Sequence, residues 1–518
     1  MAALVGLLSG LIVDTIYSWL RMFAALFISI IISFFVGIFA ARSRIGEKLI
    51  LPLVDIFQTL PILAFFPIAI FLIVGFLPGY IGINAAVIFL VVTSMIWNII
   101  FGVYEAIKTM PNEFLEIAST YHLGPLQRLT KIYAPAALPR ITEQSILSWS
   151  IGLFYLVTSE IFSAGSATYE VHRGIGIALT GLASGGQTFG YVLGIIIFIL
   201  FVIGTRFLFF VPLQNYAYRY SRENYKKERK RYHFDINELF IKKVTYFGAG
   251  FAKRTSQPKR HLIKKVGQEA DKHPLKTILY PFVFLLILVS GYVLFKHPDI
   301  VAQESFVLLS LAATFVRVWG VFAIFMVIAV PLSAYIVFVA KHGQRYLALF
   351  QILSSIPATI ILPAIAYSLK NGELVALSVF FLSGIWYVIF SAVGNLRGLN
   401  PEIMEVKKVF GVEKWKAWKN IYIKALLPGL VTGSVTAIAA EWNASIVAEY
   451  FTTTGIGGSG SGVISSVGIG MGKFLDLSLA SGNFEMMLLG LLNLTAMILL
   501  INTFIWKRVY KRVSDVYK

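Results

Sequence analysis

Two arginines and two glutamates occupy positions where charged residues are rare, within or at the end of long apolar runs. Arg21 and Arg317 lie near the start of two runs, and Glu160 and Glu449 close two others. A charge at the centre of a bilayer costs about 2.5 kcal/mol or more, so such an ion is either paired or faces water. We therefore expect Arg21–Glu160 and Arg317–Glu449 pairs that brace an external gate. The alternatives are that each side chain extends to the membrane surface, or that the guanidinium groups bind oxyanions.

Other polar or aromatic side chains within the apolar runs could line a substrate pathway. They are Gln58, Ser94, Trp97, Ser354, Ser383 and Trp386. Polar residues in such helices more often hydrogen-bond to a helix backbone, and the tryptophans equally suit core packing. The sequence is consistent both with a pathway role and with a structural role for these residues. No run contains a His, Asp or Glu cluster with metal or acid–base spacing, so we expect no metal site and no catalytic residue.

Two half-polar stretches, residues 112–140 and 401–429, interrupt the apolar runs. Phe114, Leu115 and Ala118 have helical spacing, and Gly411 suits a helix end. We predict one short amphipathic helix in each stretch, near 112–122 and 401–411. This spacing leaves Glu113 and Glu116 free for polar contact with a cytoplasmic protein.

The composition indicates a multi-pass membrane protein that holds these stretches between its spans. The 518 residues are 57% hydrophobic and only 14% charged, with a mean hydropathy of +0.77, whereas soluble proteins carry roughly 25% charged residues. Apolar runs of about 20 residues can each cross a bilayer. We predict eleven spans, at 18–41, 53–77, 81–104, 136–160, 189–213, 277–296, 306–340, 346–369, 373–396, 425–450 and 483–506.

The distribution of basic residues predicts the orientation. Most of the 45 Lys and Arg residues fall in loops on one side, which the positive-inside rule assigns to the cytoplasm. The N-terminus is then outside and the C-terminus cytoplasmic, in the cell membrane of a prokaryote. Residues 1–13 are apolar but too short to span, so we expect a surface or re-entrant segment. The chain has no cysteine.

The second half of the chain repeats the first. Arg21 matches Arg317 at an offset of 296 positions, and Glu116 matches Glu405 and Glu160 matches Glu449 at 289. We predict a first unit of five spans at 1–213, a basic linker at 214–276, an extra span and loop at 277–305, and a second unit of five spans at 306–518. The linker is interpreted as a solvated tether that attracts anionic lipid, or as a helix that docks on a partner; nucleic acid is not an expected partner.

The half-polar stretches resemble the EAA loop of ATP-binding-cassette (ABC) importer permeases. That loop has a Glu-x-Ala pattern, a turn residue six positions after the Glu and a later proline. Glu116 and Ala118 match it, and His122 occupies the usual glycine position. The second stretch keeps Glu405 and Gly411. Lys407 stands there in place of the alanine. The resemblance implies two coupling helices that fit into grooves of ATPase subunits. The residues that it assigns to this coupling are Glu113, Glu116, Ala118, His122, Gly124, Glu402, Glu405, Lys407 and Gly411.

The apolar runs resemble one branch of those permeases, the importers of nitrate, sulfonates and taurine. The similar segments are "FQTLPILAFFPIAI", "FQILSSIPATIILPAIA", "SWSIGLFYLVTSEI" and "EWNASIVAEYF". The resemblance implies an all-α, type I importer fold with two tandem permease units, a pathway for a small anion such as nitrate, sulfonate or bicarbonate, two ATPase subunits and an extracellular substrate-binding protein.

No ATP-binding motif is evident in the chain itself. In "GMGKF", Val467 stands where a P-loop needs its first glycine, and Phe474 replaces the Ser or Thr. We therefore expect a transport subunit rather than an enzyme, without a cofactor of its own, with ATP and Mg bound by partner subunits. The alternative is a secondary transporter or channel without an ATPase, which would need intramembrane carboxylates or ion sites.

Overall fold

The computed structural model describes the chain in segments. They are residues 2–58, 62–77, 79–111, 113–164, 171–217, 219, 291, 298–338, 340, 343–397, 409–411, 413–453, 462–506, 508–509 and 512–513. Almost all of the basic linker and of the extra span at 277–296 lies outside the described residues, as do residues 401–408 of the second half-polar stretch.

Helices account for all the regular structure described in the first copy. In chain order they are α1 (Ala2–Arg42), α2 (Arg44–Phe57), a 3-10 turn (Ile62–Phe65), α3 (Phe66–Phe76), α4 (Tyr80–Lys108), α5 (Glu113–Thr120), α6 (Pro125–Arg128), a π turn (Leu129–Tyr133), α7 (Ala134–Ala164), α8 (Ile175–Ser184), α9 (Thr188–Thr205), a second π turn (Arg206–Phe210) and α10 (Val211–Ala217).

The second copy repeats this order and adds one small sheet. Its elements are α11 (Pro298–Phe338), α12 (Gly343–Ser354), α13 (Ala358–Leu369), α14 (Gly372–Arg397), α15 (Lys414–Ala417), a π turn (Trp418–Tyr422), α16 (Ile423–Ala448), β1 (Tyr450–Thr453), β2 (Gly462–Ser466), α17 (Met471–Ala480), α18 (Phe484–Ile501) and a last π turn (Asn502–Trp506).

The two copies agree in where their elements begin and end. Both ends of α1 and α11 differ by 296 positions (2 and 298, 42 and 338). The π turns before α7 and α16 differ by 289, and α8 and α17 again by 296. The offset therefore returns to its first value between α16 and α17, where the β1–β2 sheet lies. The predicted duplication is thus expressed element by element.

The first helix corrects the expectation for residues 1–13. Instead of a separate segment, residues 2–13 form the N-terminal part of α1, a single helix of 41 residues. No proline occurs before Pro52, and Gly6 and Gly10 lower helix stability without ending the helix. At 1.5 Å per residue α1 is roughly 60 Å long, about twice the hydrocarbon thickness of a bilayer.

The second span predicted in each copy is not one continuous helix. The run 53–77 is divided among α2, the 3-10 turn and α3, and the run 346–369 is divided between α12 and α13. In the second copy the break falls at Pro357, which has φ −59° and ψ 134° and precedes α13. A residue before proline disfavours the helical conformation, so this proline interrupts the helix rather than kinking it. Pro61 lies outside the described residues.

Seven helices in the described segments are long and apolar enough to cross a membrane. They include α1, α4, α9, α11, α14, α16 and α18 with their continuations. The all-α expectation is confirmed, and the described residues add one small two-stranded sheet, formed by β1 and β2. Tyr, Phe, Thr, Val and Ile supply most of its residues, and such residues favour strands.

The chain divides into two compact units. The first comprises Met1–Lys230, Ile356–Lys370 and Phe451–Ser465, and the second comprises Arg231–Ser355, Asn371–Tyr450 and Ser466–Lys518. Helix α13 therefore belongs to the first unit, where the hydroxyl of Tyr191 donates to the carbonyl oxygen of Ile360 over 2.7 Å. The boundaries expected at 213, 276 and 305 remain predictions.

Candidate functional site

A buried charge cluster lies in the first unit, where α1, α4 and α7 meet the chain leading into α8. We call Ser18, Arg21, Asn84, Glu160, the Arg173 carbonyl and the amides of Ile175 and Gly176 the first arginine cluster. Arg21 Nη1 and Glu160 Oε1 are 2.7 Å apart, and the two side chains are 4% and 0% exposed. The expected Arg21–Glu160 pair is confirmed.

Every polar group of this pair has further partners. The Ser18 hydroxyl donates to Glu160 Oε1 over 2.7 Å, and the amide of Gly176 donates to Oε2 over 2.9 Å. Arg21 Nε donates to Asn84 Oδ1, and its Nη2 donates to the Arg173 carbonyl. A buried ion pair is tolerated only when such additional hydrogen bonds satisfy both groups.

The second unit contains the same arrangement. We call Thr314, Arg317, Glu373, Glu449, the Ile469 carbonyl and the amides of Gly468, Met471 and Gly472 the second arginine cluster. Arg317 Nη1 and Glu449 Oε1 are 3.0 Å apart, so the expected Arg317–Glu449 pair is also confirmed. Thr314 donates to Glu449 Oε1 and the Gly472 amide to Oε2, each over 2.7 Å.

The clusters differ in the residue that receives the Nε hydrogen of the arginine. Asn84, a neutral amide, accepts it in the first cluster. Glu373, at the matching position, accepts from both Nε and Nη2 of Arg317 over 2.6 and 2.7 Å, and its side chain is 47% exposed. The second arginine therefore binds two carboxylates, whereas the first binds one.

Both clusters pack tightly against a glycine. A methyl group added at Gly174 would lie 2.5 Å from Cδ of Glu160, and one added at Gly470 would overlap Oε2 of Glu449. The glycines let the backbone before α8 and α17 approach each carboxylate closely.

The clusters act as ties between helices rather than as open anion sites. All three guanidinium nitrogens of Arg21 and of Arg317 already donate hydrogen bonds. The two arginine side chains are also only 4% and 12% exposed, so an oxyanion would have to compete with these partners for a largely buried guanidinium group. This geometry favours a bracing function and does not support extension of the arginines to the membrane surface.

The first predicted coupling helix is present as α5. Ala118 is 1% exposed, while Phe114, Ile117 and Tyr121 are exposed. Glu113 and Glu116 lie in its first turn and are also exposed. This short helix therefore presents apolar and acidic side chains outward and buries Ala118.

Helix α5 ends at Thr120, and His122 lies in the turn that follows, at the turn position that the resemblance predicts. His122 has φ 48°, and the amide of Leu123 donates to the Ala118 carbonyl over 2.9 Å. Such positive φ values favour glycine, and histidine is one of the residues that tolerate them. Gly124 follows as the N-cap of α6, its amide bonded to Oε1 of Gln127.

Most of the second predicted coupling helix lies outside the described residues. Glu402, Glu405 and Lys407 are in that part, and their assignments stay predictions. Gly411 is described and has φ 57°. It matches His122 in the repeat, so both stretches turn at the same position. Val409 and Phe410 beside it are exposed.

The structure does not gather the other predicted pathway residues into a site. Ser94, Ser354 and Ser383 donate to carbonyl oxygens of their own helices, those of Val91, Gln351 and Val379. Trp97 stacks on Phe57 at 5.7 Å, and Trp386 packs on Phe350. Gln58 follows α2 and is exposed. These contacts suit structural roles, and a pathway role stays a prediction.

Three residues in these units were not anticipated from the sequence. Asn84 and Glu373 complete the arginine clusters, and Glu441 is a fully buried carboxyl in α16. Comparing unlike polar residues at matching repeat positions would have found the first two. Glu441 stands opposite Gly152 in that comparison, and a charge that replaces glycine in an apolar run is the signal that identifies it.

Two stretches of the chain, residues 33–211 and 332–513, match one protein family. Its description is "Binding-protein-dependent transport system inner membrane component". The two matches together cover more than half of the chain. No solved structure matches the chain.

Curated relatives are similar over shorter stretches. The glycine betaine/proline betaine transport system permease protein ProW of Escherichia coli is 29% identical over 163 residues, or 31% of this chain and 44% of that protein. The nitrate import permease protein NrtB of Leptolyngbya laminosa is 22% identical over 170 residues (33% and 56%). The bicarbonate transport system permease protein CmpB of Synechococcus elongatus is 25% identical over 160 residues (31% and 55%). The chain spans about half the length of these relatives.

Proposed function

Because the chain belongs to the family of binding-protein-dependent transport system inner membrane components and contains its domain twice, we propose that it forms both halves of the substrate pathway of an ABC importer. Two separate ATPase subunits supply the energy, and an extracellular substrate-binding protein delivers the substrate. The chain lies in the cell membrane of a prokaryote with its N-terminus outside. The basic loops, which this orientation places in the cytoplasm, support it.

Helix α5 is the observation on which ATPase coupling rests. It connects two long helices, α4 and α7, through a compact element whose apolar and acidic side chains are exposed. A helix with an apolar face fits a groove on a partner. Helix α5 buries Ala118 and is closed by a hydrogen-bonded turn at His122, and the chain joins it to α4 on one side and to α7 on the other, so movement of a bound ATPase would be transmitted to those two helices.

The proposed substrate is a small anion such as nitrate, bicarbonate or a sulfonate. The names of the NrtB and CmpB relatives support this class, whereas the name of ProW points to betaines. Since the guanidinium groups of Arg21 and Arg317 are occupied, selection would rest mainly on the extracellular binding protein. ATP hydrolysis by the reconstituted complex distinguishes these substrates. It is measured with binding proteins loaded with nitrate, bicarbonate, taurine or glycine betaine, and the true substrate should stimulate it.

Co-purification tests the function itself. A tagged full chain, extracted from its own membranes, is expected to bring down an ATPase subunit in a two-to-one ratio. Uptake into liposomes is expected only when that ATPase and ATP are included. Uptake by the chain alone would contradict the proposal and indicate a secondary transporter or channel.

A further inference from the structure

Glu441 in α16 is a buried carboxyl group with no hydrogen-bond partner among the described residues. Its side chain is fully buried, and within the part of the chain that the structure describes neither carboxylate oxygen has a hydrogen-bond partner. Glu160 and Glu449, equally buried, each bond an arginine, a hydroxyl and a backbone amide. Buried carboxylates are normally paired or neutral, because an isolated buried charge costs several kcal/mol or more. Glu441 therefore needs a different explanation from the other two.

The carboxyl group lies against the bare backbone of a neighbouring helix. A methyl group added at Gly384 of α14 would be 2.8 Å from Oε1 of Glu441 and 2.8 Å from Cε1 of Phe325. The acid is thus enclosed where α16 packs on α14 and α11. The nearest elements contribute a glycine backbone and an aromatic ring.

No basic residue lies near this position in the chain segments that surround it. Within five positions of Phe325, Gly384 and Glu441 along their helices, the one titratable side chain besides Glu441 itself is Tyr387. Helix α17, which packs against α16 at Ser445, contributes Lys473 and Asp476. The ammonium group of Lys473 donates to the carbonyl oxygens of Val467 and Gly468.

The first copy fills the same position with an apolar group. Gly152 matches Glu441, and Met95 matches Gly384, both at the 289 offset. A methyl group added at Gly152 would overlap Cε of Met95. In the first copy the thioether of Met95 in α4 lies against Gly152. In the second copy the carboxyl of Glu441 in α16 lies against Gly384. A space that a methionine fills in the first copy suits a neutral acid better than an ion.

We propose that Glu441 is a proton-binding site of the second unit, occupied by a proton in the conformation described here. In the packed conformation Glu441 keeps its proton. In a conformation that exposes the carboxyl group to water, the group ionises at neutral pH and the proton is released. By linkage, raising the pH destabilises the packing of α11, α14 and α16 relative to such open states. This inference does not rest on the transport function or on the identity of the substrate.

Infrared spectroscopy of the full chain in liposomes tests the protonation directly. The wild type at neutral pH is expected to show a carboxylic-acid carbonyl band that Glu441→Gln lacks. The matched control is Glu413→Gln, which removes an exposed carboxylate lying 3.2 Å from Lys416 and should leave that band unchanged. A wild-type spectrum without the Glu441-dependent band would overturn the proposal and indicate an ionised carboxylate with a bound cation.

Thermal unfolding over a range of pH provides a second readout. The unfolding temperature of the wild type should fall relative to Glu441→Gln as the pH rises above about 4.3, where an exposed glutamate loses its proton, because the packed state keeps a proton that the unfolded chain releases. Glu441→Met, which copies the residue type of the first copy, should give the same pH profile as Glu441→Gln and keeps the test valid if the glutamine variant fails to fold. Identical profiles for Glu441→Met and the wild type would overturn the proposal.

Discussion

Arg21 and Glu160, 139 positions apart in the chain, form an ion pair of 2.7 Å in which both side chains are almost completely buried. Arg317 and Glu449 form its counterpart in the second unit. Each pair ties the first long helix of its copy to the fourth predicted span and to the loop that follows. The unlike neighbours Asn84 and Glu373 make the two copies respond differently to the loss of one charge.

Neutralising the glutamates should therefore affect stability unequally. Glu160→Gln leaves Arg21 without a carboxylate among its hydrogen-bond partners, and breaking a buried pair costs about 3–5 kcal/mol. Glu449→Gln should cost less, because Arg317 retains Glu373. Thermal unfolding of the two variants in the same lipid or detergent measures the difference. An equal or larger loss in Glu449→Gln would contradict this assignment of the partners.

Removing the exposed partner alone should have a small effect. Glu373 is 47% exposed, and exposed ion pairs contribute about 0–1 kcal/mol. Glu373→Gln should therefore lower the free energy of unfolding by no more than about 1 kcal/mol, provided that Glu449 is intact. The double variant Glu373→Gln/Glu449→Gln should lose more than the sum of the single losses, because Arg317 then has no carboxylate partner. Strict additivity would show that the two carboxylates do not share it.

The glycines that face the carboxylates should not tolerate a side chain. Gly174→Ala and Gly470→Ala place a methyl group against Glu160 and Glu449 and should destabilise the protein by about 1–3 kcal/mol, as overpacking generally does. The control is Gly204→Ala in α9, where nothing lies within 4 Å; that change should be neutral or stabilising. Similar unfolding temperatures for Gly174→Ala and Gly204→Ala would argue against the close packing.

The turn after α5 offers a test of local stability. His122→Gly should relieve the cost of a side chain at positive φ and increase protection of the Leu123 amide, which donates to Ala118. Gly411→Ala at the matching turn should lower the stability of its stretch by about 1–2 kcal/mol. Amide hydrogen exchange measures both changes. Unchanged exchange at Leu123 would show that the histidine conformation is not limiting.

The acidic residues of the coupling helices should matter for energy transfer rather than for folding. Glu116→Ala removes an exposed carboxylate from α5, so the unfolding temperature should stay close to that of the wild type while substrate uptake per ATP hydrolysed falls. Glu413→Ala, an exposed residue just beyond the second predicted coupling helix, is the control and should transport normally. Unchanged uptake in both Glu116→Ala and Glu405→Ala would contradict their assignment.

The family and the tandem permease arrangement were predictable from the sequence and are confirmed by the two family matches. The ion pairs were predictable because charge is rare in apolar runs and recurred at constant offsets. Their remaining partners were not. Asn84 and Glu373 differ in residue type. Each lies near the start of a helix that follows a loop, where a polar residue is not unusual.

The helix boundaries were harder to derive, for physical reasons that differ from place to place. Hydropathy does not distinguish a continuous span from two helices separated by a turn, so 346–369 was predicted as one span although it breaks at Pro357. Residues 1–13 were judged by length alone, whereas helix propagation into α1 adds one hydrogen bond for each residue fixed. The burial of Glu441 depends on three helices at once and has no local signature.

We propose that α5 lies on the cytoplasmic face and binds an ATPase subunit. The chain has no cysteine, so a single Ile117→Cys variant can be labelled with a photoreactive thiol reagent in membranes of its own cells. Phe76→Cys, exposed at the end of α3, is the control, because the proposed orientation places it on the opposite face. We predict that Ile117→Cys cross-links to an ATPase subunit, with a yield that changes with ATP, and that Phe76→Cys does not. Labelling of Ile117→Cys by an impermeant reagent from outside intact cells, with no cross-link to an ATPase, would contradict the account.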